Sequence, residues 1–220
     1  MRLKNVQGRL KKVIMFFSLS IIAAGLMYFN SPLGKLVGDV KVFYIPAGKY
    51  YVNGGDPSNL NWEHPPLAKY LIGLSVEYLG SVFYVSLLVV FLGLLYFWFL
   101  LRDVTGNPVL SLLVVLSMCL DGVFLEVSTS GILDVFMVSF SVPALYYTVK
   151  YVFVDGKDKY LIVAGIFSGL SIACKWSLIP LVLIMLTFSM YAMFNRMGVS
   201  KKSMLKVIFR EMTFIAVIFI

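Results

Sequence analysis

Long stretches of unbroken apolar sequence recur along the whole chain, and they decide its fold class. A helix needs about 20 apolar residues to cross a bilayer, because each residue advances it only about 1.5 Å. Apolar runs occupy roughly residues 13–29, 82–101, 108–120, 131–153, 160–174 and 177–194, and a seventh begins near 207. With 60% hydrophobic residues and a mean hydropathy of +0.90, the chain is expected to be all-α: a polytopic transmembrane helical protein of about seven spans. No small-residue cleavage site follows the first run, which reads as a retained helix and not a signal peptide.

The segment between the first two spans, residues 30–81, is too polar to cross and too aromatic for a loose linker. It is read as a long ordered outer loop lying on the membrane. At its heart Asn61-Trp-Glu-His-Pro-Pro-Leu-Ala-Lys69 gathers an acid, the one histidine, two prolines, a tryptophan and a lysine. Proline suits the first turn of a helix, and apolar residues recur at helical spacing after Pro66. An interface helix is expected from Leu67 to Leu79.

The charges orient the chain. If every span crosses and the N-terminus is cytoplasmic, residues 1–12 form a basic cytoplasmic tail. Fourteen of the nineteen Lys and Arg then fall on the cytoplasmic side. Only Lys35, Lys41, Lys49, Lys69 and Lys175 lie outside, where seven of the eleven acids also collect. This bias is the usual determinant of membrane topology. It also explains the net charge of +8 without a nucleic-acid partner. Cys119 and Cys174 lie in apolar runs without metal spacing, so no metal is expected and the thiols read as buried small hydrophobes.

One consequence concerns chemistry. Asp39, Glu63, His64, Lys69, Asp121, Glu126, Asp134 and Lys175 come from separate segments but all fall on the outer side or just below it. A carboxylate within the bilayer costs about 3 kcal/mol, so such a group usually faces a cavity or a partner. Asp134 lies one turn inside its span, where Lys175 is a candidate counter-ion. Each residue also has a plainer reading: Asp39 as a solvated loop acid, Asp121 as a helix terminator, Lys69 and Lys175 as interface anchors.

Glu63-His-Pro-Pro-Leu-Ala-Lys69 resembles the His-Pro-Pro-Leu-Gly-Lys signature of protein O-mannosyltransferases, integral-membrane glycosyltransferases of the C-type superfamily. Leu120-Asp-Gly-Val-Phe-Leu125, Gly131-Ile-Leu-Asp-Val-Phe-Met137 and Ala173-Cys-Lys-Trp-Ser177 resemble that family's later segments, in order. Two departures stand out. The family's Asp-Glu pair in the first outer loop is here Asp39 alone, followed by Val40 and Lys41 and then Phe43-Tyr-Ile-Pro46. An arginine common before the fourth span is replaced by Thr129 or Ser130. Family members are also far longer, so the chain looks like an N-terminal membrane domain that ends inside an apolar run at residue 220.

The resemblance implies transfer of a sugar, mannose in this family, from a dolichyl or other polyprenyl phosphate. The acceptor it implies is a Ser/Thr hydroxyl of protein at the non-cytoplasmic face, with a glycan or lipid acceptor as the variant. Such chemistry needs a base at the acceptor oxygen and positive groups at the leaving phosphate. Asp39, then Glu63, are the candidate catalytic bases; His64, Lys69, Asp121, Asp134 and Lys175 are candidate substrate-binding residues. No cofactor is implied. The expected partners are the lipid-linked donor, the acceptor, membrane lipids, and either a second chain or a further C-terminal region. Two other classes stay open: a transporter or channel, disfavoured because no internal repeat is visible, and a non-catalytic membrane subunit.

Overall fold

The computed structural model describes residues 38–197, and among them every regular element is helical. The chain enters through a short π-helical turn, Val40–Tyr44, which runs straight into α1, Ile45–Val52. Helix α2, Leu67–Leu79, lies where the sequence predicts the interface helix and ends on left-handed Gly80. The loop expectation for residues 30–81 therefore needs one correction: it contains two packed helices, not one. Pro46 occupies the first turn of α1, where its missing N–H is harmless. Gly48 sits where α1 meets α2. A Cβ on Gly48 would lie 2.8 Å from the Gly73 backbone nitrogen and closer still to the Lys69 carbonyl. The two helices touch backbone to backbone, as small residues permit.

Helix α3, Phe83–Thr105, is one long apolar span, closed by Gly106 in the left-handed region. Asn107 caps the next helix, accepting the N–H groups of Val109 and Leu110 at 3.1 Å, with Pro108 at its first position. That helix, α4 (Pro108–Leu120), breaks at Asp121. The chain bends by 74° into α5, Gly122–Thr129, whose start is capped by the Asp121 carboxylate on the Phe124 N–H. Helix α6, Leu133–Lys150, then returns alongside α3. Gly93 makes this approach close, since a Cβ there would meet the Ser139 Cα at 2.9 Å. Helix α7, Asp158–Ile172, packs on α6, where the Ser171 hydroxyl donates to the Met137 carbonyl at 2.5 Å. A short turn, Trp176–Leu178, leads to α8, Ile179–Met197.

Two described helices, Phe83–Thr105 and Leu133–Val154, are long and apolar enough to cross a membrane; the bent α4–α5 pair makes a third if it is one span. Helices α7 and α8 occupy the fifth and sixth apolar runs. The basic tail and the first and seventh runs lie outside the described residues. The main core joins Val40 of the entry turn, Ala68 and Ile72 of α2, Leu133 and Phe136 of α6, and Cys174 and Leu178 beyond α7. That cluster docks the interface segments on one end of the bundle. The other end is held by Asp103, which pairs with Arg102 at 2.6 Å and Lys150 at 2.9 Å.

Candidate functional site

The site is assembled where the interface helices meet the ends of α6 and α7. The backbone N–H of Leu67, just past the two prolines, donates to the Ala173 carbonyl at 3.1 Å. Two motifs more than a hundred residues apart in sequence are thereby joined. Lys175 follows Ala173 by two residues and reaches back to Asp134 in the first turn of α6. Its Nζ lies 2.8 and 2.7 Å from the two carboxylate oxygens. This is the counter-ion that the depth of Asp134 calls for. Lys175 remains about a quarter exposed and Asp134 nearly half exposed, so the pair borders open space and is not sealed in the core.

His64 lies half-buried within the field of this pair. Burial, Lys175 and Lys69 hold its imidazole below the ordinary histidine range, while Glu63 and Asp134 oppose them. His64 is therefore neutral at physiological pH, a hydrogen-bonding group and not a cation. Tyr44 also lies within electrostatic reach of the Asp39, Asp134 and Glu63 carboxylates. Burial first, then those three acids, push its phenol up, so that it stays protonated as an O–H donor. Tyr44 thus feels Asp39, Asp134 and Glu63, and His64 feels Glu63, Asp134 and Lys175, so these groups act on the same end of the bundle. Tyr44 is a member that the residue-by-residue reading overlooks; its signal was its place in the Phe43-Tyr-Ile-Pro46 stretch.

Two candidates behave differently. Lys69 is expected at a phosphate, but it is completely buried. Its ammonium donates to the Asn61 carbonyl, to Asn61 Oδ1 at 3.1 Å and to the His64 carbonyl at 2.7 Å. An ammonium has three N–H groups, and all three are committed to the loop. Burial brings its pKa down to about 8, against the pull of Glu63. Asp121 is exposed, and its carboxylate caps α5. At the positions where the resembling family carries arginine, Thr129 and Ser130 turn their hydroxyls onto the Leu125 and Val127 carbonyls of α5. Lys175 is a cation that reaches this end of α6.

Beside Asp134 opens an apolar groove of about 370 Å³ between α3, α4, α5 and α6. Leu94 and Phe97 of α3, Met118 of α4, Phe124 of α5 and Val138 of α6 line it, and Asp134 is its one ionisable wall residue. Among the described residues no three His, Cys, Asp or Glu side chains gather closely enough to hold a metal ion.

The fold and site define a helical membrane protein with a polar centre at one end of its bundle and an apolar groove running from it. The profile of the family described as dolichyl-phosphate-mannose-protein mannosyltransferase matches residues 63–220. The chain belongs to that family. Among solved structures, it is similar to a chain of the S. cerevisiae protein O-mannosyltransferase Pmt1-Pmt2 complex bound to the sugar donor, with a TM-score of 0.69 and 20% identity. The match takes in 95% of this chain and 32% of that one, so this chain spans about a third of the length of its solved relative. No curated protein matches it.

Proposed function

We propose that this chain forms the donor-binding end of a membrane mannosyltransferase, which moves mannose from dolichyl phosphate to a Ser/Thr hydroxyl of protein at the non-cytoplasmic face. The observation that carries the reading is the placement of the Asp134–Lys175 pair at the head of an apolar groove, with His64 and Tyr44 alongside. A polyprenyl-phosphate sugar has this same division into a greasy tail, an anionic joint and a polar sugar.

In this reading the tail lies along Leu94, Phe97 and Val138. Lys175, held by Asp134, meets the phosphate, where a charge-assisted hydrogen bond is strongest. His64 and the Tyr44 phenol donate hydrogen bonds to the same end. Asp39 takes the proton from the acceptor hydroxyl as its oxygen bonds to the sugar's anomeric carbon. The bond from that carbon to the phosphate oxygen breaks, and its electron pair leaves on polyprenyl phosphate. Attack on the face opposite the leaving group inverts the anomeric centre, as in inverting sugar transfer to water. Glu63 is the second candidate base. The positive charge of Lys175 counts most as the phosphate gains negative charge in the transition state.

The test uses membranes containing the full-length protein, labelled dolichyl-phosphate mannose and a Ser/Thr peptide. Mannose should appear on the peptide, and Asp39→Asn should abolish transfer while the protein stays inserted. Full activity in that variant would pass the base role to Glu63. Solute flux without any glycosyl transfer would replace this reading with a transporter.

A further inference from the structure

We propose that Lys69 is a positioning residue: its buried ammonium clamps the Asn61–His64 loop and so sets where Glu63 and His64 meet the substrate. The inference rests on the reading above for its catalytic part, but the clamp itself stands on geometry. A fully buried lysine is rare, because an ammonium out of water is costly unless every proton is matched. Here each is matched within one short loop: the Asn61 carbonyl, Asn61 Oδ1 and the His64 carbonyl.

The surroundings fit a clamp and not a ligand site. The ammonium lies 5.5 Å from the centre of the Tyr51 ring, a cation–π distance. The Tyr51 hydroxyl donates to the Leu60 carbonyl, immediately before the clamped residues. Asn61 takes a left-handed φ of +52°, unusual for a residue with a Cβ, and it is this residue that offers two oxygens to Lys69. The loop thus departs from the commonest backbone conformation where the lysine grips it. The result is a rigid bridge from α2 to Glu63 and His64. Trp62 is three-quarters exposed on the same loop, beside the two functional residues.

A clamp and a phosphate ligand predict different kinetics. Lys69→Met keeps an unbranched apolar stem one atom shorter than lysine and removes every N–H. In full-length protein the clamp predicts a fall in kcat of about 10- to 100-fold, the usual effect of displacing a catalytic group by about 1 Å. The KM for dolichyl-phosphate mannose should stay within about twofold of the parent. Backbone hydrogen exchange over residues 57–64 should rise in the same variant. Asn61→Gly accepts the positive φ and removes one of three acceptors; it should give the same pattern in milder form, and it carries the test if Lys69→Met fails to accumulate. A donor KM that rises with unchanged exchange would put Lys69 on the phosphate and overturn the proposal, as would parental kcat. If the parent protein transfers no mannose, the functional reading fails, and the exchange result alone still decides whether Lys69 holds the loop.

Discussion

Breaking the Asp134–Lys175 pair from each side in turn, and then from both, tests whether Asp134 serves the site through Lys175. At 2.7 Å, with an effective dielectric of about 20, the bare attraction between unit charges is about 6 kcal/mol. Water screens much of that, because Lys175 is 24% and Asp134 46% exposed. Fully exposed pairs couple by about 0.2–1 kcal/mol, whereas removing one partner of a buried pair costs about 3–5 kcal/mol. A half-exposed pair gripping both carboxylate oxygens belongs between these limits, so a coupling of about 1–2 kcal/mol is expected. At about 1.36 kcal/mol per tenfold, this is roughly a 5- to 30-fold interaction in kcat/KM for the donor. Lys175→Met should be the more damaging single change, because it removes the cation proposed to meet the phosphate and strands the Asp134 charge. Adding Asp134→Asn to it relieves that stranded charge, so the double variant should be no worse than Lys175→Met and should recover part of its loss. The assay is initial-rate transfer in membranes with donor concentration varied, repeated at higher ionic strength, where the coupling should shrink. Single effects that add to within about 0.5 kcal/mol would refute the argument, since independent residues behave that way.

Three other expectations follow from particular contacts. The folded-state pKa of His64 lies below 6.5, so between those values the unfolded chain binds a proton that the folded one does not. Stability from neutral His64 is therefore complete above pH about 6.5 and declines as the pH falls from there. Thermal midpoints of the detergent-solubilised protein should show this acid loss, and His64→Gln should flatten it. Gly48→Ala places a methyl against backbone of α2 that cannot swing aside, and should destabilise by about 1–3 kcal/mol; a parental melting curve would mean the helices part easily. Tyr44→Phe keeps the ring in the core and removes an O–H that feels three carboxylates. It should lower kcat by about tenfold with the melting curve unchanged, and parental kcat would exclude the phenol from the site.

What was legible in the sequence follows the range of the forces concerned. The start of α4 at residue 108 was readable because its chemistry is local: Asn107 caps and Pro108 opens the helix through contacts within a few residues. The ion pair was readable because a carboxylate one turn inside a span demands a partner, and the segment after the next helix offered one lysine. Helix α1 was not, because Pro46 and Gly48 look like breakers until it is seen that one sits in the first turn and the other against α2. Lys69 shows the limit most sharply. Its neighbours in sequence are those of an interface lysine free to reach a phosphate. Only the fold reveals that the loop preceding it doubles back and presents three oxygens to it. Charge placement along the chain can bring ionisable groups to one membrane face, since that depends on span order and hydropathy alone. Which of them face substrate and which hold the scaffold is a matter of ångströms. At this end of the bundle the division falls between two lysines: Lys175, paired with Asp134 beside the groove, and Lys69, sealed beneath the loop it holds.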